Sequence, residues 1–238
     1  MNGTIARITA RGLLGQRRLL LLLALPATLI ALAVVLRIFD GGDQTGALLL
    51  LQRYGLATLL PLVALIASTA VIGPELDDGT IVFVLATPVS RPVVVRTKLA
   101  IATAATLLFA AVPVLAATLL LTGNDDNLAV AFTVGAAAGA IAYSAVFVLI
   151  QLAVRHGVVV GLVYALLWES VIGGFVPGAR ELSIQQWMVS ITDALAATHP
   201  LHPSVSTAAA LVLLPAVSIA ATLVAGRRLA AFTLKGEG

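Results

Sequence analysis

The side chains able to do chemistry are few, and they fall into three groups. The largest lies in residues 73–98, GPELDDGTIVFVLATPVSRPVVVRTK, where Glu75, Asp77, Asp78, Arg91, Arg96 and Lys98 crowd a polar interruption between two apolar runs. So many carboxylates and cations in one short segment suit either a catalytic site or a charged docking surface. The second group is Glu169 in YALLWES, a carboxylate set inside an apolar run. An ionised carboxylate costs several kcal/mol in hydrocarbon, so it must face protein, water or a partner charge, or be protonated. It is either a polar latch on a pathway, with Trp168 and Tyr164 beside it, or a structural carboxylate held by neighbouring helices. The third group is His199 and His202, a spacing open to metal ligation. With no third ligand nearby they read as ordinary loop histidines, and no metal site is expected. The chain has no cysteine, which excludes disulfides, thiolate metal sites and cysteine nucleophiles.

These groups are embedded in an oily chain. Of 238 residues, 60% are hydrophobic and only 11% charged, and mean hydropathy is +1.08. Soluble domains are near half apolar and a quarter charged, so the composition is that of an integral membrane protein. The net charge of +3 does not mark nucleic-acid binding, because the basic residues are scattered at the ends of apolar runs. Scarce lysine beside arginine, with abundant Ala, Leu and Val, hints at a GC-rich bacterial genome.

Six apolar runs can each cross a bilayer at roughly 20 residues per helix: 19–36, 56–72, 99–121, 128–154, 158–176 and 205–225. The expected fold is therefore an all-α polytopic membrane protein with six transmembrane helices in one domain, residues 1–238. Pro26, Pro61 and Pro113 fall inside the first three runs and predict kinks there. Residues 1–18 are basic, with Arg7, Arg11 and Arg18 on one helical face; they form an interfacial helix or a basic lead-in that fixes topology. The first run also has features of a signal peptide, but it continues through Val34, Val35 and Leu36 with no polar cleavage region. With both termini on the cytoplasmic side, eleven of the fourteen basic residues lie inside, and only Arg37, Arg53 and Arg180 outside. That asymmetry satisfies the positive-inside rule and places residues 73–98 in the cytoplasm.

Gly135 with Gly139, and Gly157 with Gly161, place small residues four apart, which lets helices approach closely either within one protomer or across a dimer seam. Residues 177–203 form an outer loop. Within it Ser183-Ile184-Gln185-Gln186 fits a capping box, followed by Trp187, Met188, Ile191 and Leu195 at helical spacing. Gln185, Gln186, Ser190 and Asp193 take the other face, predicting an amphipathic helix resting at the outer interface with Trp187 at headgroup level.

In 73–98, Gly73-Pro74 and Gly79 mark turns, and Thr80 can cap a short element in which Ile81, Val82 and Leu85 share one helical face. Its β-branched residues keep a strand open as the rival. Pro88 ends it, Ser90 can cap the next helix, and Pro92 is tolerated in a first turn. The physical expectation is a rigid, partly apolar knob; the plain alternative is a charged loop that only sets topology.

From Glu75 through Gly79-Thr80 to Thr87-Pro88-Val89-Ser90-Arg91 and Lys98, the chain resembles permease subunits of type-2 ABC transporters. A second stretch, from Tyr164 and Trp168-Glu169 through Pro177-Gly178 to Leu182-Ser183, is also similar to small bacterial permeases of that family. Arg96, where the family pattern has an apolar residue or glycine, is a departure. The resemblance implies that a coupling helix between membrane helices 2 and 3, built on Glu75, Gly79, Thr80, Ile81, Leu85, Pro88, Ser90, Arg91 and Lys98, docks on a separate ATPase. It further implies a second permease copy or homologue, residence in the bacterial plasma membrane, and export of a drug, antibiotic, lipid or peptide. The chain carries no GxxxxGK[ST] loop, so the expectation is that it is not itself an enzyme or cofactor binder, and that ATP and Mg are used by the partner. Two other classes stand beside this: a membrane scaffold of the same fold, and an intramembrane enzyme, for which the chain offers one mid-membrane carboxylate and no serine nucleophile motif.

Overall fold

In the computed structural model, residues 15–39, 43–77, 91–123, 125–167, 179–197 and 201–231 are described, and every regular element among them is helical. Helix α1 is Gln16–Phe39. Helix α2 (residues 44–77) starts as Gln44–Leu49, widens to a π-helix over Leu50–Leu59 and returns to α geometry over Leu60–Asp77. Helix α3 (residues 91–122) repeats the pattern with Arg91–Thr106, a π stretch at Leu107–Ala111, and Val112–Thr122. Then come α4 Leu128–Ala153, α5 Gly157–Leu167, α6 Ile184–Leu195 and α7 Thr207–Ala231.

Five helices are long and apolar enough to cross a membrane: α1, α2, α3, α4 and α7. The fifth run of the sequence is described as helix only over Gly157–Leu167; residues 168–178, with Trp168 and Glu169, lie outside the described residues. Peripheral helices expose large apolar side chains, among them Leu20, Leu21 and Ile38 on α1 and Leu211, Val212 and Ile219 on α7. Such apolar exposure suits hydrocarbon and not water, and helices pair most of their backbone groups internally, as a span requires. Among the described residues the molecule is all-helical, and its five long apolar helices are compatible with a multi-pass membrane protein.

Helix α2 is the buried strut: 78% of its apolar window is buried, against 22% for α1 and α7. Helix α4 is the hub, packed on α7, α2, α6 and α3. Two boundaries differ from expectation. Helix α2 begins at Gln44, not near residue 56, because Asp43 caps it by accepting from the Thr45 and Gly46 N–H groups at 3.4 and 3.2 Å. The added turns carry Gln52 and Arg53, and their Tyr54 hydroxyl bonds Thr28 Oγ1 and the Leu25 carbonyl of α1. Helix α2 also runs through Gly73-Pro74 to Asp77, so the polar interruption outside the described residues is 78–90.

Both π stretches end two residues before a proline, Pro61 and Pro113. A proline ring crowds the carbonyl four residues back, here those of Ala57 and Phe109. In both stretches the hydrogen bond spans five residues instead of four, Leu60 N–H to Gly55 and Val112 N–H to Leu107, which opens the turn where the ring needs room.

The predicted outer helix forms over Ile184–Leu195, but both of its faces are largely buried. It is wedged into the bundle between α4, α7 and the π stretch of α2. Trp187 is 3% exposed, and Gln185 and Ser190 from the polar side are buried too. The seat is the first glycine pair. A Cβ on Gly139 would overlap Met188 Sδ and lie 2.9 Å from Leu60 Cδ2, and one on Gly135 would overlap Thr192 Oγ1 and lie 3.2 Å from the Met188 carbonyl oxygen. The second pair also packs internally, Gly161 on Leu65 and Gly157 on Gln151. Close approach within one protomer is therefore what the glycines do. The capping box does not form: Ser183 makes no side-chain cap bond, and Gln186 Oε1 accepts from the Ser204 N–H at 3.2 Å.

Candidate functional site

Of the residues singled out by sequence, Glu75, Arg91, Arg96 and Lys98 belong to the end of the bundle where α2 ends and α3 begins, and where α4 turns into α5. Pro74 has no N–H, so the carbonyl four residues back loses its helical donor and the ladder near it loosens. A bundle tolerates such a proline when a neighbouring helix supplies a donor. The carbonyl concerned is that of Ala70; on the next residue Lys98 of α3 donates from Nζ to the Val71 carbonyl at 2.7 Å, and the lysine is only 4% exposed. The lysine side chain thus staples α2 to α3 one to two turns inside the 78–90 segment. Arg96, two residues earlier, is exposed.

Beside this staple, Gln151 of α4 donates from Nε2 to Thr69 Oγ1 of α2 at 2.9 Å, and Gln151 is itself buried. Deeper in the bundle, Ser68 Oγ donates to the Ser144 carbonyl at 3.5 Å, and Ser144 Oγ and Thr106 Oγ1 share a hydrogen bond of 3.2 Å. A polar ladder therefore joins α2, α3 and α4 through membrane depth. At its end lies a cavity of about 670 Å3 lined by Thr69, Gly73, Gln151, Arg155, His156 and Val158 with their neighbours. Arg155 and His156 are exposed on the turn between α4 and α5.

Tyr164 lies apart, on α5. Its ring meets Phe147 edge-on at 6.0 Å and 83°, and Phe147 stacks on Tyr143 at 5.9 Å and 14°. The three rings form a seam between α4 and α5. Glu75 and Arg91 fall on the last turn of α2 and the first of α3, while Gly79, Thr80, Ile81, Leu85, Pro88 and Ser90 lie outside the described residues, as do His199 and Glu169. His202 is exposed in the α6–α7 connection with φ 49°.

Sequence reasoning missed the cavity and the Gln151–Thr69 link. The signals were present: an amide inside an apolar run, and a basic Arg155-His156 turn splitting two such runs. Searches against family models, curated proteins and solved structures find no match for this chain.

Proposed function

We propose that the chain is the permease half of an ATP-driven exporter of the type-2 ABC class, with six membrane crossings and both termini cytoplasmic in a bacterial plasma membrane. A separate ATPase uses ATP and Mg, a second permease copy or homologue completes the pathway, and the transported class is a drug, antibiotic, lipid or peptide. The observation that carries the reading is that the family-like segment 73–98 is borne by α2 and α3, whose ends are stapled by Lys98 on Val71. A push on the 78–90 segment, by a partner that binds nucleotide, is then delivered to two spanning helices at once. That is a mechanical input to a two-state bundle. In this scheme Glu75, Gly79, Thr80, Ile81, Leu85, Pro88, Ser90 and Arg91 form the docking knob, and Lys98 is a positioning residue beneath it. Tyr164, Trp168 and Glu169 line the path or its gate.

Co-expression with its cognate ATPase tests the proposal. The expected outcome is a complex that co-purifies and hydrolyses ATP, and that Arg91→Ala or Glu75→Ala dissociates while the membrane helices keep their thermal midpoint. A permease that captures no ATPase overturns the transporter reading and leaves a membrane scaffold of the same fold. Intact assembly in both variants reduces 73–98 to a topology signal.

A further inference from the structure

The cavity at the α4–α5 turn combines donors with an oily rim. Its walls bring the Thr69 hydroxyl and Gln151 amide of the interior next to Arg155 and His156 on the turn. None of the described residues that line it is acidic. From its mouth α5 leads away along exposed Val158, Val159, Leu162 and Val163, which are 48%, 60%, 42% and 48% exposed.

We propose that this cavity holds the phosphate-bearing headgroup of an anionic phospholipid, with its acyl chains along the exposed face of α5. A guanidinium gives a phosphate two parallel donors, and a basic pocket between membrane helices at the bilayer surface is the setting in which such headgroups are held. A soluble phosphate ester would use the same donors but draw nothing from the valine face. Acyl chains match the apolar face of α5 as a water-soluble ester does not, which favours the lipid. The site does not depend on the transport reading, since it needs only the α4–α5 turn at a membrane surface. Its occupant would bridge α2, α4 and α5 beside the Lys98 staple, so lipid composition would bear on the motion of that end.

The test uses the full chain in a neutral detergent, with native mass spectrometry counting bound phosphatidylglycerol or phosphatidylcholine. One phosphatidylglycerol per chain is expected to persist where phosphatidylcholine is lost. Arg155→Gln should weaken it about tenfold, the worth of one charge-assisted hydrogen bond. Ala153→Phe, at an exposed position of the cavity wall, should weaken it by steric filling. Arg228→Gln, removing an exposed arginine from α7, should leave it unchanged, and excess glycerol 3-phosphate should not displace it. Equal retention of the two lipids, or an equal loss in Arg228→Gln, would overturn the site in favour of general surface attraction. Displacement by glycerol 3-phosphate would overturn the lipid in favour of a soluble anion. Unchanged binding in both Arg155→Gln and Ala153→Phe would place any bound lipid elsewhere.

Discussion

At one end of the bundle α6 is driven between α4 and α7, with Met188 and Thr192 filling the space that Gly139 and Gly135 leave open. At the other, α2, α3 and α4 meet through Lys98 on Val71 and Gln151 on Thr69, next to a cavity of about 670 Å3. The first end is joined by close van der Waals packing, which falls off steeply when surfaces separate and so favours one arrangement. The second is joined by a few directional bonds on long, flexible side chains beside empty space, and such contacts can be exchanged without tearing a packed core. Under the proposed function the two ends have different work: the α6 end is a fixed plug, and the Lys98 end is where displacement would enter. That division suits an input arriving through residues 78–90.

The largest effect is expected from breaking the plug. Gly139→Leu puts four carbons where even a Cβ overlaps Met188 Sδ and crowds Leu60. Overpacking of this kind costs about 3 kcal/mol when the neighbours cannot yield. The thermal midpoint in detergent should drop sharply and α6 should become open to proteolysis. Gly139→Ala should cost less, because the methionine end is flexible. A wild-type midpoint in Gly139→Leu would mean that α6 is not seated there, and the contrast between the ends would fail.

The staple comes next. Lys98→Met removes the donor to Val71 while keeping an apolar stem of similar length, and a charge-assisted hydrogen bond of this kind contributes about 2 kcal/mol. The origin of the defect is itself testable. Pro74→Ala restores an N–H to the helix, which should tighten the local ladder and reduce its need for an outside donor. The double variant should therefore lose less stability than the sum of the single changes, as coupled neighbours do. Strict additivity would separate Lys98 from the proline and leave it a simple interhelical contact. If the end is the mechanical input, Lys98→Met should also retain ATPase capture while losing coupled transport.

What the sequence disclosed and what it hid follow the same division. The spanning helices were legible because an apolar run of that length has one common use, and α4 and α7 lie close to their expected bounds. The start of α2 was not, because Gln52 and Arg53 read as solvent, whereas Tyr54 has Thr28 as a partner and Asp43 caps the helix twelve residues upstream of the expected start. Gly73-Pro74 read as a break because Lys98, which ties the turn before it to α3 through Val71, is more than twenty residues away in the chain. Periodicity found α6 to within a residue, but a helical repeat cannot tell whether a face meets lipid or a glycine-lined slot, so its burial between neighbouring helices was not foreseen. The coupling knob of 80–86 and Glu169 fall outside the described residues, and for them the sequence remains the whole basis.

The smallest expected effect is the most discriminating for the mobile end. Gln151→Met keeps the length of the side chain but deletes its hydrogen bond to Thr69, worth about 1 kcal/mol net. Thr69→Val removes the same bond from the other side and preserves the branched shape. If the bond is merely structural, both variants lower the thermal midpoint slightly and do nothing else. If this end must open and close, weakening a bond made in only one arrangement shifts the balance between arrangements. A population moves several-fold for each kcal/mol, so hydrogen exchange at 66–73 and 148–157 should rise far more than the loss of global stability accounts for. Both variants should agree, because the bond is shared; a change confined to Gln151→Met would point to packing on Gly157 instead. Exchange that rises equally at both ends of the bundle would erase the distinction between plug and input.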